Sequence, residues 1–92
     1  MPIAVHPGRI LRRELAARKL SANRLALELG VPSGRITDII NGKRGVTADT
    51  ALRLGRRFGT SAQFWMNLQT RFDLAVTEQK LGRRLATEVR AA

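Results

Sequence analysis

Residues 21–42 read SANRLALELGVPSGRITDIING, and the spacing within this stretch decides the fold. Ser21 is a good N-cap, because a short hydroxyl side chain can accept from an otherwise unpaired amide of the first turn. Leu25, Ala26 and Leu29 follow at spacings that place them on one helical face. Gly30 ends that helix cheaply, since the left-handed conformation needed after a helix costs glycine almost nothing. Val31 is placed to fill the angle between two helices, and Pro32 presets a helix-entry dihedral where a backbone donor is not needed. A second helix is therefore expected to start near Pro32. In it Ile36, Ile39 and Ile40 form an apolar stripe, with Ser33, Gly34, Arg35, Thr37 and Asp38 off the stripe. Asn41 and Gly42 supply a second stop.

Two helices of about two turns each, joined by a tight turn with a polar face left free, make the unit whose second helix enters the DNA major groove. The composition points to the same class of partner. Seventeen Lys and Arg against seven Asp and Glu give a formal charge of +10 on 92 residues. A sequence pI near 11.9 meets the basic-footprint criterion for nucleic-acid binding. Basic composition alone is shared with ribosomal proteins, small ribonucleases and membrane-surface peptides, so the helix pair carries the argument.

Working outward, residues 7–19 read as a first helix, with Ile10, Leu11 and Leu15 inward and Arg9, Arg12, Arg13, Glu14 and Arg18 around them. After the helix pair, Lys43, Arg44 and Gly45 form a short basic turn. Thr47 caps a fourth helix with Asp49 in its first turn, where a negative charge suits the dipole. Ala51, Leu52, Leu54 and Phe58 are its apolar positions, and Gly59 closes it. Thr60 with Gln63 has the form of a capping box opening a fifth helix, on which Phe64, Trp65, Leu68 and Phe72 are expected to share a core or dimer face. Beyond Asp73 the chain either extends that helix or begins again at Thr77. Leu81, Leu85 and Val89 recur every four residues there, in a tail suited to a second subunit or partner.

Ninety-two residues allow one domain with a modest core and no deep substrate pocket. The fold expected is all-α: residues 1–72 form a five-helix DNA-binding domain and residues 73–92 a C-terminal helical extension or arm. No cysteine is present, so disulfides and thiolate metal sites are excluded. His6 has no second ligand at metal spacing, and no metal or cofactor is expected. No apolar run approaches the roughly 18 residues that span a bilayer, so no membrane association is expected and the default location is the cytoplasm. An enzyme is not expected: one His, no Tyr and no sheet leave nothing to hold a general acid and base about a scissile bond.

From His6 onward, HPGRIL and then LALELGVPSGRITDIINGKRGVTADTALRLGRRFGTSAQFWMNLQTRFDL resemble the HigA-type antitoxins. These are also called VapI or addiction-module antidote proteins, within the XRE family of lambda-repressor-like helix-turn-helix domains. NGKRGVTADTALRL and FGTSAQFWMNLQ carry the resemblance to this branch in particular. The resemblance implies a five-helix domain that dimerises and binds a palindromic operator in double-stranded DNA of its own promoter. It further implies a type II toxin–antitoxin module, in which the chain neutralises a RelE/HigB-like messenger-cleaving toxin encoded beside it. The alternatives kept open are a stand-alone XRE-family repressor without a toxin, and an interaction module that does not bind DNA.

The family's DNA-contacting positions fall on Ser33, Gly34, Arg35, Thr37 and Asp38. Arg35 can give two parallel hydrogen bonds to guanine, Asp38 can accept from cytosine, and Thr37 can bond a base or touch a thymine methyl. Gly34 lets the backbone approach closely, and Ser33 with the amides near the helix start can hold a phosphate oxygen. Ser21, Asn23, Lys43 and Arg44 are the implied backbone contacts. Many relatives carry Gln as the second residue of the first motif helix, where this chain has Ala22. The work of that amide then shifts to Asn23 or Ser21. The competing structural reading pairs Asp38 with Arg35 three residues away. Arg56, Arg57, Arg83 and Arg84 read as solvated, adding general attraction to DNA.

Overall fold

The computed structural model describes residues 4–92. It consists of α1 (Pro7–Arg18), α2 (Ala22–Leu29), α3 (Ser33–Ile40), α4 (Ala48–Phe58) and α5 (Ala62–Glu88), with no strand among the described residues. Caps set these boundaries. Ser21 Oγ accepts from the Arg24 amide at 3.0 Å, and Thr47 Oγ1 caps α4 through the Thr50 amide. Gly30, at φ 73°, turns the chain out of α2, and the Val31 amide returns to the Ala26 carbonyl at 3.0 Å. His6 is the N-cap of α1: its Nδ1 accepts from the Gly8 amide at 2.9 Å, directly before Pro7 in the first helical position.

One core joins the helices. Leu11 and Leu15 of α1, Leu25, Ala26 and Leu29 of α2, Ile36 and Ile39 of α3, Val46, Ala51, Leu54 and Phe58 meet around a fully buried Trp65. The Trp65 indole would cost free energy to bury unpaired, and its Nε1 donates to Thr60 Oγ1 at 3.0 Å. Helix α1 lies so close on α3 that a Cβ at Gly8 would stand 1.8 Å from the Ile39 carbonyl oxygen.

Pro32 stands at the entry of α3 as expected, as its cap residue, and it makes no side-chain capping bond. Several sequence expectations are corrected. The cap of α5 is Ser61, whose Oγ accepts from the Phe64 amide at 3.0 Å; Thr60 is diverted to Trp65, so the Thr60–Gln63 box does not form. Leu52 is 65% exposed, because Ala51, Leu54, Gly55 and Phe58 occupy the inward face of α4. Phe64 is 42% exposed and only edges Trp65, with centroids 5.2 Å apart. Trp65 is core, Leu68 packs against it, and Phe72 meets the His6 ring edge-on at 4.8 Å. The four residues therefore do not all lie in the core of the single chain.

Helix α5 runs unbroken for 27 residues, through Asp73, Thr77 and Gly82. A single exposed Gly costs a helix about 1 kcal/mol, too little to break one this long. Only Trp65 and Ala75 are buried along it, and its last turns project from the body. The radius of gyration is accordingly 15.5 Å, against about 12 Å for a compact chain of this length. No helix among the described residues is long and apolar enough to cross a membrane.

Candidate nucleic-acid interface

Helix α3 is held from behind and open in front. Ile36 and Ile39 are fully buried, fixing its rotation, while Ser33, Gly34 and Thr37 are exposed. A Cβ at Gly34 would meet nothing within 4 Å, so the backbone at the start of the helix is bare. With Pro32 giving no side-chain cap, the first amides of α3 are placed as anion donors, and the helix dipole adds to their pull. Thr37 Oγ1 donates to the Ser33 carbonyl at 3.2 Å, which leaves its lone pairs and methyl for a ligand.

The arginine of this face does not make the pair within α3 that the competing reading offered. Arg35 Nη1 donates to Asp49 Oδ2 at 2.8 Å, and Asp38 lies 4.0 Å from Arg44 Nε instead. The physical reason is competition across helices. The first turn of α4 delivers a carboxylate already fixed by Arg53, whose Nε lies 3.2 Å from both oxygens. Asp49 consequently titrates below the usual carboxylate range, chiefly through the Arg53 hydrogen bond and then through Arg35. Arg53 also donates to the Leu29 carbonyl at 2.7 Å, closing the end of α2.

The remaining expected contacts surround α3 on both sides. Ser21 and Asn23 lie exposed at the start of α2; the Ser21 oxygen serves as cap and its proton remains free to donate. Ala22 is half-buried and packs against the core, so that position presents no side chain suited to a phosphate. Lys43 and Arg44 are exposed on the loop after α3, where the Lys43 amide bonds the Asp38 carbonyl at 2.8 Å. That loop is pinned to α5: Gln69 Oε1 accepts from the Val46 amide at 2.7 Å, and its Nε2 donates to Asp73 at 2.9 Å. Arg53 and Gln69 are contributors that the sequence reading did not single out, and it marked Asp49 only for its place in the first turn of α4. Besides the local pairs Asp49–Arg53 and Gln69–Asp73, their partners lie 14 to 24 residues away, where no local pattern points.

On the far side of α2, Glu28 accepts from Arg57 and from Arg24, at 3.1 Å for the latter, and both pull its pKa down. His6 has its pKa lowered by burial, against the opposing influence of Asp73 and the Arg44 carbonyl. Its Nδ1 is committed as an acceptor for the Gly8 amide.

Known proteins resemble this chain in both sequence and fold. The helix-turn-helix family model matches residues 11–65. Virulence-associated protein I of Dichelobacter nodosus is 54% identical over 83% of this chain and 71% of its own length. The addiction module antidote protein of the HigA family from Coxiella burnetii superposes with a TM-score of 0.95 at 46% identity, over 99% of this chain and all of that one. The Pseudomonas aeruginosa antitoxin HigA, solved with the higBA promoter, gives a TM-score of 0.93 at 44% identity over 96% and 97% of the two chains. The chain belongs to the helix-turn-helix family of the XRE type, in its HigA-like branch.

Proposed function

We propose that the protein is a DNA-binding antitoxin that represses its own promoter and neutralises a toxin of the RelE/HigB type encoded beside it. The observation that carries the reading is helix α3, anchored by Ile36 and Ile39 with Ser33, Gly34 and Thr37 bare on its outer side, in a fold shared with an antitoxin solved on promoter DNA. Arg35, Thr37, Asp38 and the backbone at Ser33 and Gly34 read base edges, and Ser21, Asn23, Lys43 and Arg44 hold phosphates. One short recognition helix reads too few bases for useful selectivity. The protein therefore acts as a symmetric dimer, with two such helices about 34 Å apart on a palindrome.

The test is a titration of the purified protein against DNA from directly upstream of its own gene and against a scrambled duplex, at several salt concentrations. Preferential binding of the upstream DNA, weakening steeply with salt, is expected. Equal affinity for both duplexes refutes the repressor reading. Co-expression with the product of the neighbouring gene, followed by pull-down, tests the antitoxin role; absence of a stable complex would sink it.

A further inference from the structure

Four hydrogen bonds form three links in series across the DNA-facing side of the molecule. The Leu29 carbonyl, at the end of α2, accepts from Arg53 Nη1. Arg53 Nε holds both oxygens of Asp49, and Asp49 Oδ2 holds Arg35 Nη1 on α3. Arg35, Asp49 and Arg53 line one hollow together with Arg44 and Thr47. Asp49 suits the dipole at the start of α4 and pairs with Arg53 one turn on, but it also faces the DNA-reading helix. A carboxylate beside a surface meant for phosphates nonetheless lowers affinity for any DNA, and Thr47 already supplies the side-chain cap of α4.

We propose that Asp49 is a positioning residue that determines specificity at the DNA interface: it grips Arg35 by one terminal nitrogen and leaves the Nε and Nη2 edge preset for a guanine. This rests on the reading of α3 as the base-reading helix. A guanidinium carries its donors in a fixed planar fork, so holding one nitrogen fixes the direction of the others. An arginine ordered before binding also loses less rotamer freedom when it docks. The carboxylate is in turn held by Arg53, so the anchor is itself ordered. Asp49 thus acts in opposite senses on the two kinds of DNA. It opposes binding to all duplexes through its charge, and it favours the duplex that places guanine at the Arg35 edge.

The experiment uses the full-length protein and its upstream DNA, with each G·C pair of the protected half-site replaced in turn. Wild type, Arg35→Ala, Asp49→Asn and the double variant are titrated against this set and against a scrambled duplex, and their melting temperatures are recorded. Arg35→Ala identifies the base pair that Arg35 reads. At that pair Asp49→Asn is expected to lose roughly 3- to 10-fold of discrimination, part of what a bidentate arginine supplies. It should bind the scrambled duplex as tightly as wild type or more so, and the double variant should discriminate no worse than Arg35→Ala alone. Undiminished discrimination in Asp49→Asn overturns the proposal while leaving Arg35 as the reader. Parallel weakening on every duplex overturns it in favour of a structural role. Unchanged base preference in Arg35→Ala removes the reading of α3 itself and the proposal with it.

Discussion

Replacing Gly8 by Ala sets two magnitudes against each other. In a helix Ala is favoured over Gly by about 1 kcal/mol, so propensity alone predicts a gain. The packing predicts the reverse. The new Cβ would lie 1.8 Å from the Ile39 carbonyl oxygen and 2.7 Å from its carbon, both backbone atoms of α3 that no rotamer change can remove. Ordinary contact begins near 3.4 Å, so α1 and α3 must part by about 1.6 Å at a point where the core is closed by Leu11, Ile36 and Ile39. Overpacking of this kind costs about 1–3 kcal/mol, with backbone clashes at the upper end. After subtracting the propensity gain, Gly8→Ala should destabilise by about 2 kcal/mol, a fall in melting temperature of about 8–16 °C for a domain of this size. Thermal unfolding followed by circular dichroism measures it, with both proteins at one concentration because self-association shifts the midpoint. An equal or higher melting temperature for Gly8→Ala would refute the packing argument. The consequence reaches the interface, since the atom displaced belongs to the helix proposed to read DNA.

Gly34→Ala is the complementary case: its Cβ meets nothing within 4 Å, so stability should rise by up to about 1 kcal/mol. Operator affinity should nonetheless drop about tenfold if a duplex backbone or base edge comes against that atom; titration and melting curves together check both signs. For His6, burial holds the pKa below its ordinary 6.5 and the fold needs Nδ1 unprotonated. The unfolded chain then binds more protons below that value, so this contribution is intact above about pH 6.5 and is lost as the pH falls through the lowered value. Chemical denaturation of wild type and His6→Asn between pH 7.5 and about 5 should show the loss in the wild type alone, because Asn caps without titrating.

Much of the fold was legible because its signals are local. Ser21, Gly30, Thr47 and Gly59 act on amides and carbonyls within one turn of themselves, and the structure has helix ends at each. The stripe Ile36 and Ile39 needed only the helical period to be recognised as inward. Local signals failed where two adjacent residues competed for one role. Ser61, not Thr60, caps α5 because the Trp65 indole claims the Thr60 hydroxyl, and that claim arises only once the core closes.

The sequence by itself therefore determined the first four helices and the presence of a fifth, the turn between α2 and α3, and the residues of α3 that must face away from the core. Backbone capping and a period of 3.6 residues are enough for that. Tertiary structure alone decided what those outward residues meet. Arg35 takes Asp49 rather than Asp38, Arg53 closes α2, Gln69 holds the loop after α3, and the projecting end of α5 leaves Leu85 uncovered. Long polar side chains choose partners by proximity across helices, and that proximity is set by how the apolar stripes pack, which no single stripe specifies.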